Sequence, residues 1–259
     1  MGKQCKVEKI NKVVLLTIDR PQLNTLSRET LFEIQNCLED VEGDDSVRTI
    51  VITGAGDKMF SAGADVTEFA EMVDPQKARA NTKAIHELFL KIEAFPKPII
   101  ASINGQALGG GNELQMACHL VIASENAQFG LPEVRLGIIP GYGGTQRLTR
   151  LIGRRRALEL LLSGEKITAQ QALEYGMINK VVAHQDLHKE TLKWAESIAE
   201  GPPLAIKAIL DSVHRGIEST LDKGLQIETE NVLKVSTSQD AIEGISAFFT
   251  KRKPEFKGE

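Results

Sequence analysis

The chain has 259 residues, 42% of them hydrophobic and 25% charged, with a formal net charge of -4. This is an ordinary globular composition on a chain long enough to bury a large core, which excludes disordered and fibrous classes. The acidic balance favours no polyanionic partner, and the three cysteines, Cys5, Cys37 and Cys118, contain no CxxC pair, which argues against a disulfide scaffold or zinc site and suits a reducing compartment.

No apolar run reaches about 18 residues and no charged n-region leads into an apolar one, so neither a membrane span nor secretion is expected. The opening MGKQCK carries Lys6 where a myristoylation signal needs Ser or Thr, leaving a cytoplasmic location as the expectation. Val7 to Ile10 and Val13 to Ile18 predict a β-hairpin across Asn11 and Lys12, ended by Asp19-Arg20-Pro21. Ser27 is placed to cap a helix whose Leu31, Ile34, Leu38 and Val41 recur at spacing three and four. Val47 to Thr53 predicts a strand, followed by the glycine-flanked turn Phe60-Ser61-Ala62-Gly63-Ala64-Asp65 and a polar segment. Asp74-Pro75 opens a longer helix with Ile85, Leu88, Phe89 and Ile92 on one face, and Pro96 and Pro98 stop it.

The stretch from Pro98 to Gly144 concentrates the chemistry. Ile99 to Ile103 predicts a strand, Gly105 breaks it, and Gly109 to Gly111 precede the amphipathic ELQMACHLV, giving strand, turn, helix. Three glycines at a helix start leave backbone N–H groups unpaired and approachable, a place for an anion or a developing oxyanion. It is not a phosphate-binding P-loop, because Gly111 and Asn112 stand where Lys and Ser or Thr are required; a dinucleotide fingerprint fails at Leu114 and, counted from Gly54, at Met59. Glu113 falls in the first turn of this helix, and Glu133 in the turn-like Gly130-Leu131-Pro132-Glu133. A helix of about nine residues carries the chain outward about 13 Å and the strand Leu120 to Ala123 returns it, so both carboxylates can face one cavity. Taken singly, Glu113 complements a helix dipole and Glu133 is a solvated turn residue. The second turn, where Ala64 can supply another N–H, favours a shared site.

Alternation of strand and helix through the centre predicts an α/β sheet built from crossover units. After Gly141 the chain reads as helical almost to its end: Thr168 with Gln171 fits a capping box, Asp186 to Ala199 is amphipathic, and Gly201-Pro202-Pro203 divides it from further helices. His184 and His188 lie in HQDLH rather than HExxH, and no serine sits in a GxSxG elbow. Arg147, Arg150, Arg154, Arg155 and Arg156 form a run that suits RNA or phosphate, or else a solvated or subunit-facing helix; the acidic net charge and the lack of interleaved aromatics favour the latter.

SAGAD at 61 to 65, GGGNEL at 109 to 114, AQFGLPE at 127 to 133 and GIIPGYGGTQRL at 137 to 148 together resemble the crotonase, or enoyl-CoA hydratase, superfamily. The resemblance is ordered and covers nearly the whole chain, from LTIDRPQLNTLS at 16 to 27 to FFTKRKPEF at 248 to 256. It implies a spiral of ββα units over residues 1–195 holding the active site, and a helical C-terminal region over 196–259 that mediates homotrimers, often paired into hexamers. Periodicity alone does not reveal that spiral, since no internal repeat is visible.

By residue-wise match, the resemblance implies that the backbone N–H groups of Ala64 and Gly110 form an oxyanion hole for a thioester carbonyl. It also implies that Glu113 orients and activates water while Glu133 exchanges the proton at C2, with no metal or redox cofactor. Asp65, Val66 and Lys251 are the implied contacts to the coenzyme A of an acyl-CoA substrate, with Arg252 beside Lys251. Leu136, Ile138 and Tyr142 are candidates for the acyl pocket. Many superfamily isomerases, decarboxylases and thioester hydrolases lack one of the two glutamates, so the expected activity is reversible syn hydration of a trans-2-enoyl-CoA. An enoyl-CoA isomerase, a specialised acyl-CoA dehydratase and an RNA-binding homologue are the alternatives, nucleic acid being the least expected partner.

Overall fold

The computed structural model describes residues 3–68 and 74–259. The polar segment expected after Ala64 runs into residues 69–73, which lie outside the described residues, as do residues 1–2 of the opening MGKQCK. The chain opens with the hairpin β1 (Cys5–Ile10) and β2 (Val13–Ile18), turned at Asn11 with φ 54°. Helix α1 (Arg28–Glu42) follows, its first turn capped by Ser27 Oγ accepting from the Thr30 amide at 3.2 Å. Then come β3 (Thr49–Gly54), β4 (Met59–Ser61) and α2 (Pro75–Glu93), the last capped by Asp74. Next are β5 (Ile99–Ile103), β6 (Gln106–Leu108) and α3 (Gly110–Ala117), then β7 (Leu120–Ser124) and β8 (Gln128–Gly130), which leads into a 3-10 turn at Pro132–Leu136.

From β3 to β8 successive strands alternate between two sheets. One has the order β1-β2-β3-β5-β7 and ends on a sixth strand, β10 (Lys180–Val182); the other has the order β4-β6-β8 and ends on β9 (Lys166–Thr168). Each step is therefore a strand in the large sheet, a strand in the small sheet and a helix, which is the ββα spiral that the resemblance implies. Within the large sheet the strands from β2 onward are parallel, and β3 and β5 are buried on both faces, so they read as continuous apolar runs. Phe60, Phe89, Phe95 and Phe129 fill the space between the sheets and helices α1 to α3.

The remaining helices are α4 (Gly144–Ile152), α5 (Arg154–Ser163), α6 (Ala169–Glu174), α7 (Leu187–Ala199), α8 (Pro203–Ile217), α9 (Leu221–Ser236) and α10 (Gln239–Thr250). The expectation of a chain helical almost to its end after Gly141 is thus corrected by β9 and β10. Each is three residues long, too short to carry a period, and each is held by long-range pairing: β9 antiparallel to β8, β10 parallel to β7. Helix α7 packs on β2, β3, β5 and β7, so residue 195 lies inside an element of the sheet layer, whereas α8 and α9 pack chiefly on each other. Among the described residues no helix is long and apolar enough to cross a membrane.

Candidate active site

Strands β4, β6 and β8 are parallel neighbours, with Ser61 opposite Ala107 and Leu108 opposite Gly130. Their carboxyl ends therefore open side by side. From the end of β4 the chain delivers Ala64, from β6 it delivers Gly110, and from β8 it delivers Glu133. Glu113 stands one helical turn above Gly110 on the buried helix α3. Loops at the carboxyl ends of parallel strands are where α/β folds place ligands.

The two amides lie together. A Cβ built on Gly110 would stand 3.3 Å from the Ala64 amide nitrogen, and one built on Gly63 would stand 2.8 Å from the Gly110 nitrogen. Gly110 is the first residue of α3, so its N–H has no acceptor within the helix. Gly109 takes φ 51°, and a Cβ there would meet Glu133 Oε1 at 2.9 Å. The triple glycine thus lets the chain turn into α3 while a carboxylate and a second strand end press against it.

Glu113 is 1% exposed, and its Oε1 accepts from the amides of Tyr142 at 2.8 Å and Gly144 at 2.7 Å. Burial pushes its carboxyl up to about 7, against the pull of the Gly144 and Tyr142 amides and the Arg147 charge, with the neighbouring Glu133 adding to the rise. Glu133 is half-buried, and burial raises its carboxyl as well. Its Oε2 is buried without a hydrogen-bond partner among the described residues. A buried carboxylate oxygen left unpaired at the ends of these strands marks a place for an incoming donor.

Tyr142 connects these parts. Its ring carbons Cδ2 and Cε2 would both lie 2.8 Å from a Cβ on Gly110, and it makes an edge-on contact with Phe89 at 5.8 Å between ring centroids. The sequence pointed to Tyr142 as a pocket residue but not to its amide, nor that of Gly144, as the Glu113 donors. The available signal is the glycine-rich GYGG at 141 to 144, whose open backbone leaves amides free to donate. Leu136 and Ile138 are exposed beside Glu133.

The remaining expected residues are placed differently. The Asp65 carboxylate turns inward to an ion pair with Arg20 Nη2 at 2.5 Å and accepts from the Thr67 hydroxyl at 2.7 Å; Arg20 also bonds the Thr25 hydroxyl. At 7% exposure it braces the Ala64 turn rather than offering its charge outward. Val66 is exposed next to it, while Lys251 ends α10 in the left-handed region, φ 54°, its described contacts lying within that helix. The arginine run is dispersed: Arg147 pairs with Glu93, Arg150 with Glu218, and Arg156 lies over the Tyr175 ring. His184 takes part in a bond between Nδ1 and Ser124 Oγ at 3.0 Å, a structural tie away from Glu113.

The family model for enoyl-CoA hydratase/isomerase matches residues 8–259. A probable enoyl-CoA hydratase of Bacillus subtilis is 43% identical over 248 residues, 95% of this chain and 96% of that protein. A short-chain-enoyl-CoA hydratase of Clostridium acetobutylicum is 40% identical over 250 residues, 96% of this chain and 95% of that protein. Among solved structures, an enoyl-CoA hydratase from Bacillus anthracis superposes with a TM-score of 0.94 at 42% identity, covering 99% of this chain and all of that one. With a family match over residues 8–259 and relatives of about 40% identity along nearly the whole chain, the chain belongs to the enoyl-CoA hydratase/isomerase family.

Proposed function

We propose that this protein is an enoyl-CoA hydratase that adds water reversibly, in the syn sense, across the double bond of a trans-2-enoyl-CoA to give the 3-hydroxyacyl-CoA. The observation that carries this reading is the convergence of two carboxyls, the buried Glu113 and the half-buried Glu133, with the Ala64 and Gly110 amides at the ends of three adjacent strands.

As the water oxygen bonds to C3, negative charge moves onto the thioester oxygen. Two backbone donors aimed at that oxygen stabilise the enolate-like transition state, and they need no reorganisation because strand pairing holds them. Glu113, one oxygen fixed by two amides, is suited to take the proton from water as it attacks. Glu133 has a free buried oxygen suited to hold the same water and deliver a proton to C2. Burial brings the Glu113 carboxyl to about 7, where proton exchange near neutral pH is efficient, and raises that of Glu133 in the same direction.

The presence of both carboxyls favours hydration over double-bond isomerisation, which needs one group to move a proton between C2 and C4. Coenzyme A contacts are assigned to the backbone about Val66 and to Lys251, with Asp65 serving to fix the Ala64 turn. Ile209, Val213, Ile217, Leu233, Phe248 and Phe249 leave the C-terminal helices with a broad exposed apolar face, which supports assembly as a homotrimer or a hexamer of paired trimers. Three unpaired cysteines fit the reducing cytoplasm.

The test is purified protein with crotonyl-CoA, followed by loss of the ultraviolet absorbance of the conjugated thioester and by chromatography of the product. Formation of 3-hydroxybutyryl-CoA is expected. Conversion of a 3-enoyl-CoA with no hydration of crotonyl-CoA would reverse the assignment in favour of an isomerase.

A further inference from the structure

We propose that Arg147 is a positioning residue for the Glu113 carboxylate, acting through the loop from Gly141 to Gly144; this rests on the hydratase reading above. The Arg147 side chain is only 11% exposed, and its guanidinium uses its whole fork. Nε and Nη2 each donate to one oxygen of Glu93 at 2.8 Å, while Nη1 donates to the Tyr142 carbonyl at 2.8 Å. Its carbon centre also lies 5.6 Å from the Phe89 ring, which in turn meets the Tyr142 ring edge-on.

The residue whose carbonyl Arg147 holds is the same one whose amide holds Glu113. Gly141 is tied as well, its carbonyl accepting from His86 Nε2 at 2.8 Å. The other end of the brace is anchored in the sheet: His119 Nδ1 accepts from the Ile99 amide at 2.9 Å, so its Nε2 carries the proton and donates to the Glu93 carbonyl at 3.1 Å. A line of contacts thus runs from β5 through His119, Glu93 and Arg147 to the loop that presents two amides to Glu113. Such a brace is unnecessary for burying Leu148 or Ile152 on the inner face of α4. A planar fork is required, because one ammonium cannot reach Glu93 and the Tyr142 carbonyl in three directed bonds.

The groups facing Glu113 are Glu133, Tyr142 and Arg147, with Glu93, His86 and His119 behind the loop. Of these, the Arg147 charge and the amides it steadies favour the ionised carboxylate, and Glu133 opposes it. Losing Arg147 therefore moves Glu113 ionisation to higher pH, and with it the acid limb of kcat/KM.

The experiment compares the full-length protein with Arg147→Met and Arg147→Lys across pH. Selective carbon-13 labelling of glutamate carboxyls follows Glu113 directly, its resonance assigned by its loss in Glu113→Gln. For Arg147→Met we expect kcat on crotonyl-CoA to fall about 30-fold with KM changed less than about 3-fold, as for a misplaced catalytic group. Its acid limb and the Glu113 resonance should titrate about one pH unit higher. Arg147→Lys keeps the charge and the fold, so its limb should stay within about 0.3 unit while kcat still falls about 10-fold for want of the fork. A folded Arg147→Met whose Glu113 titration is unmoved, or an Arg147→Lys with the kcat of the parent, overturns the proposal. Wild-type protein that fails to hydrate crotonyl-CoA removes the hydratase reading instead, and the carbon-13 titration still decides whether Arg147 positions Glu113.

Discussion

Gly110→Ala probes the oxyanion hole with a single methyl group. Gly110 does not need a left-handed backbone, so alanine adopts its conformation without strain, and the perturbation is purely one of space. The new Cβ would stand 2.8 Å from two ring carbons of Tyr142 and 3.3 Å from the Ala64 nitrogen. Carbon atoms rest at about 3.5–4.0 Å, so one side must retreat by roughly 0.7 Å or more. If Tyr142 retreats, its amide draws away from Glu113; if the backbone retreats, the Gly110 N–H leaves the thioester oxygen. Either way a group that acts on the transition state is displaced, and losing one such donor costs about 3 kcal/mol, or about 100-fold in rate. Overpacking costs about 1–3 kcal/mol of stability, which leaves the protein folded. Steady-state hydration of crotonyl-CoA should therefore show kcat reduced about 100-fold with a smaller change in KM, because the lost interaction belongs to the charge that develops during reaction. Gly43→Ala, where a Cβ meets nothing within 4 Å, is the control. A folded Gly110→Ala protein with kcat within about 3-fold of the parent would refute the placement of the oxyanion at this amide.

Glu133→Gln should bind a CoA ester almost as well as the parent and hydrate more than about 100-fold more slowly; equal turnover at saturating substrate would show that Glu133 moves no proton. Glu113→Gln should be inactive yet more stable at high pH. The Glu113 carboxyl is raised from 4.5 to about 7 on folding, so the folded state binds that proton more tightly, and its contribution to stability is present below 4.5 and lost as pH rises through about 7. A glutamine carries no charge and still accepts the Tyr142 and Gly144 amides. Its advantage in urea midpoint should grow across this window to a plateau of up to about 3 kcal/mol, and a difference that is flat with pH would contradict the buried charge. Burial pushes the Cys5 thiol up to about 12 and the Cys37 thiol up to about 11. Peptide mapping after treatment with a thiol reagent at pH 8 should find both unmodified in native protein and modified after denaturation; rapid labelling of either while native would contradict their burial. Phe248 and Phe249 are 79% and 77% exposed, and changing both to serine should shift the mass seen by light scattering toward that of a single chain. An unchanged mass would place the subunit contact elsewhere.

Local signals were the ones legible without coordinates. The Ser27 cap, the Asp74-Pro75 start of α2 and the Thr168–Gln171 capping box each depend on a few adjacent residues, and each is present. The apolar runs of β2, β3 and β5 and the glycine turn before α3 were visible for the same reason. The small sheet was not, because β4, β6, β8 and β9 are three residues each and have no pattern of their own; their hydrogen bonds come from strands far away in the chain. The ion pair of Asp65 with Arg20 was equally hidden, because the two residues lie far apart in the chain.

By itself, the sequence determined which groups do the chemistry: which residues are acidic, where the backbone is bare, and where a chain with no Cβ can pass close to another. Only tertiary structure decided that these groups meet. Ala64, Gly110 and Glu133 share a site because β4, β6 and β8 pair in register, and Glu113 is held at its working ionisation by amides some thirty positions on, in a loop fastened by Arg147. Residue type is a local property of the chain, whereas proximity, burial and the resulting rise of a carboxyl are set by every element that excludes water from the same small volume.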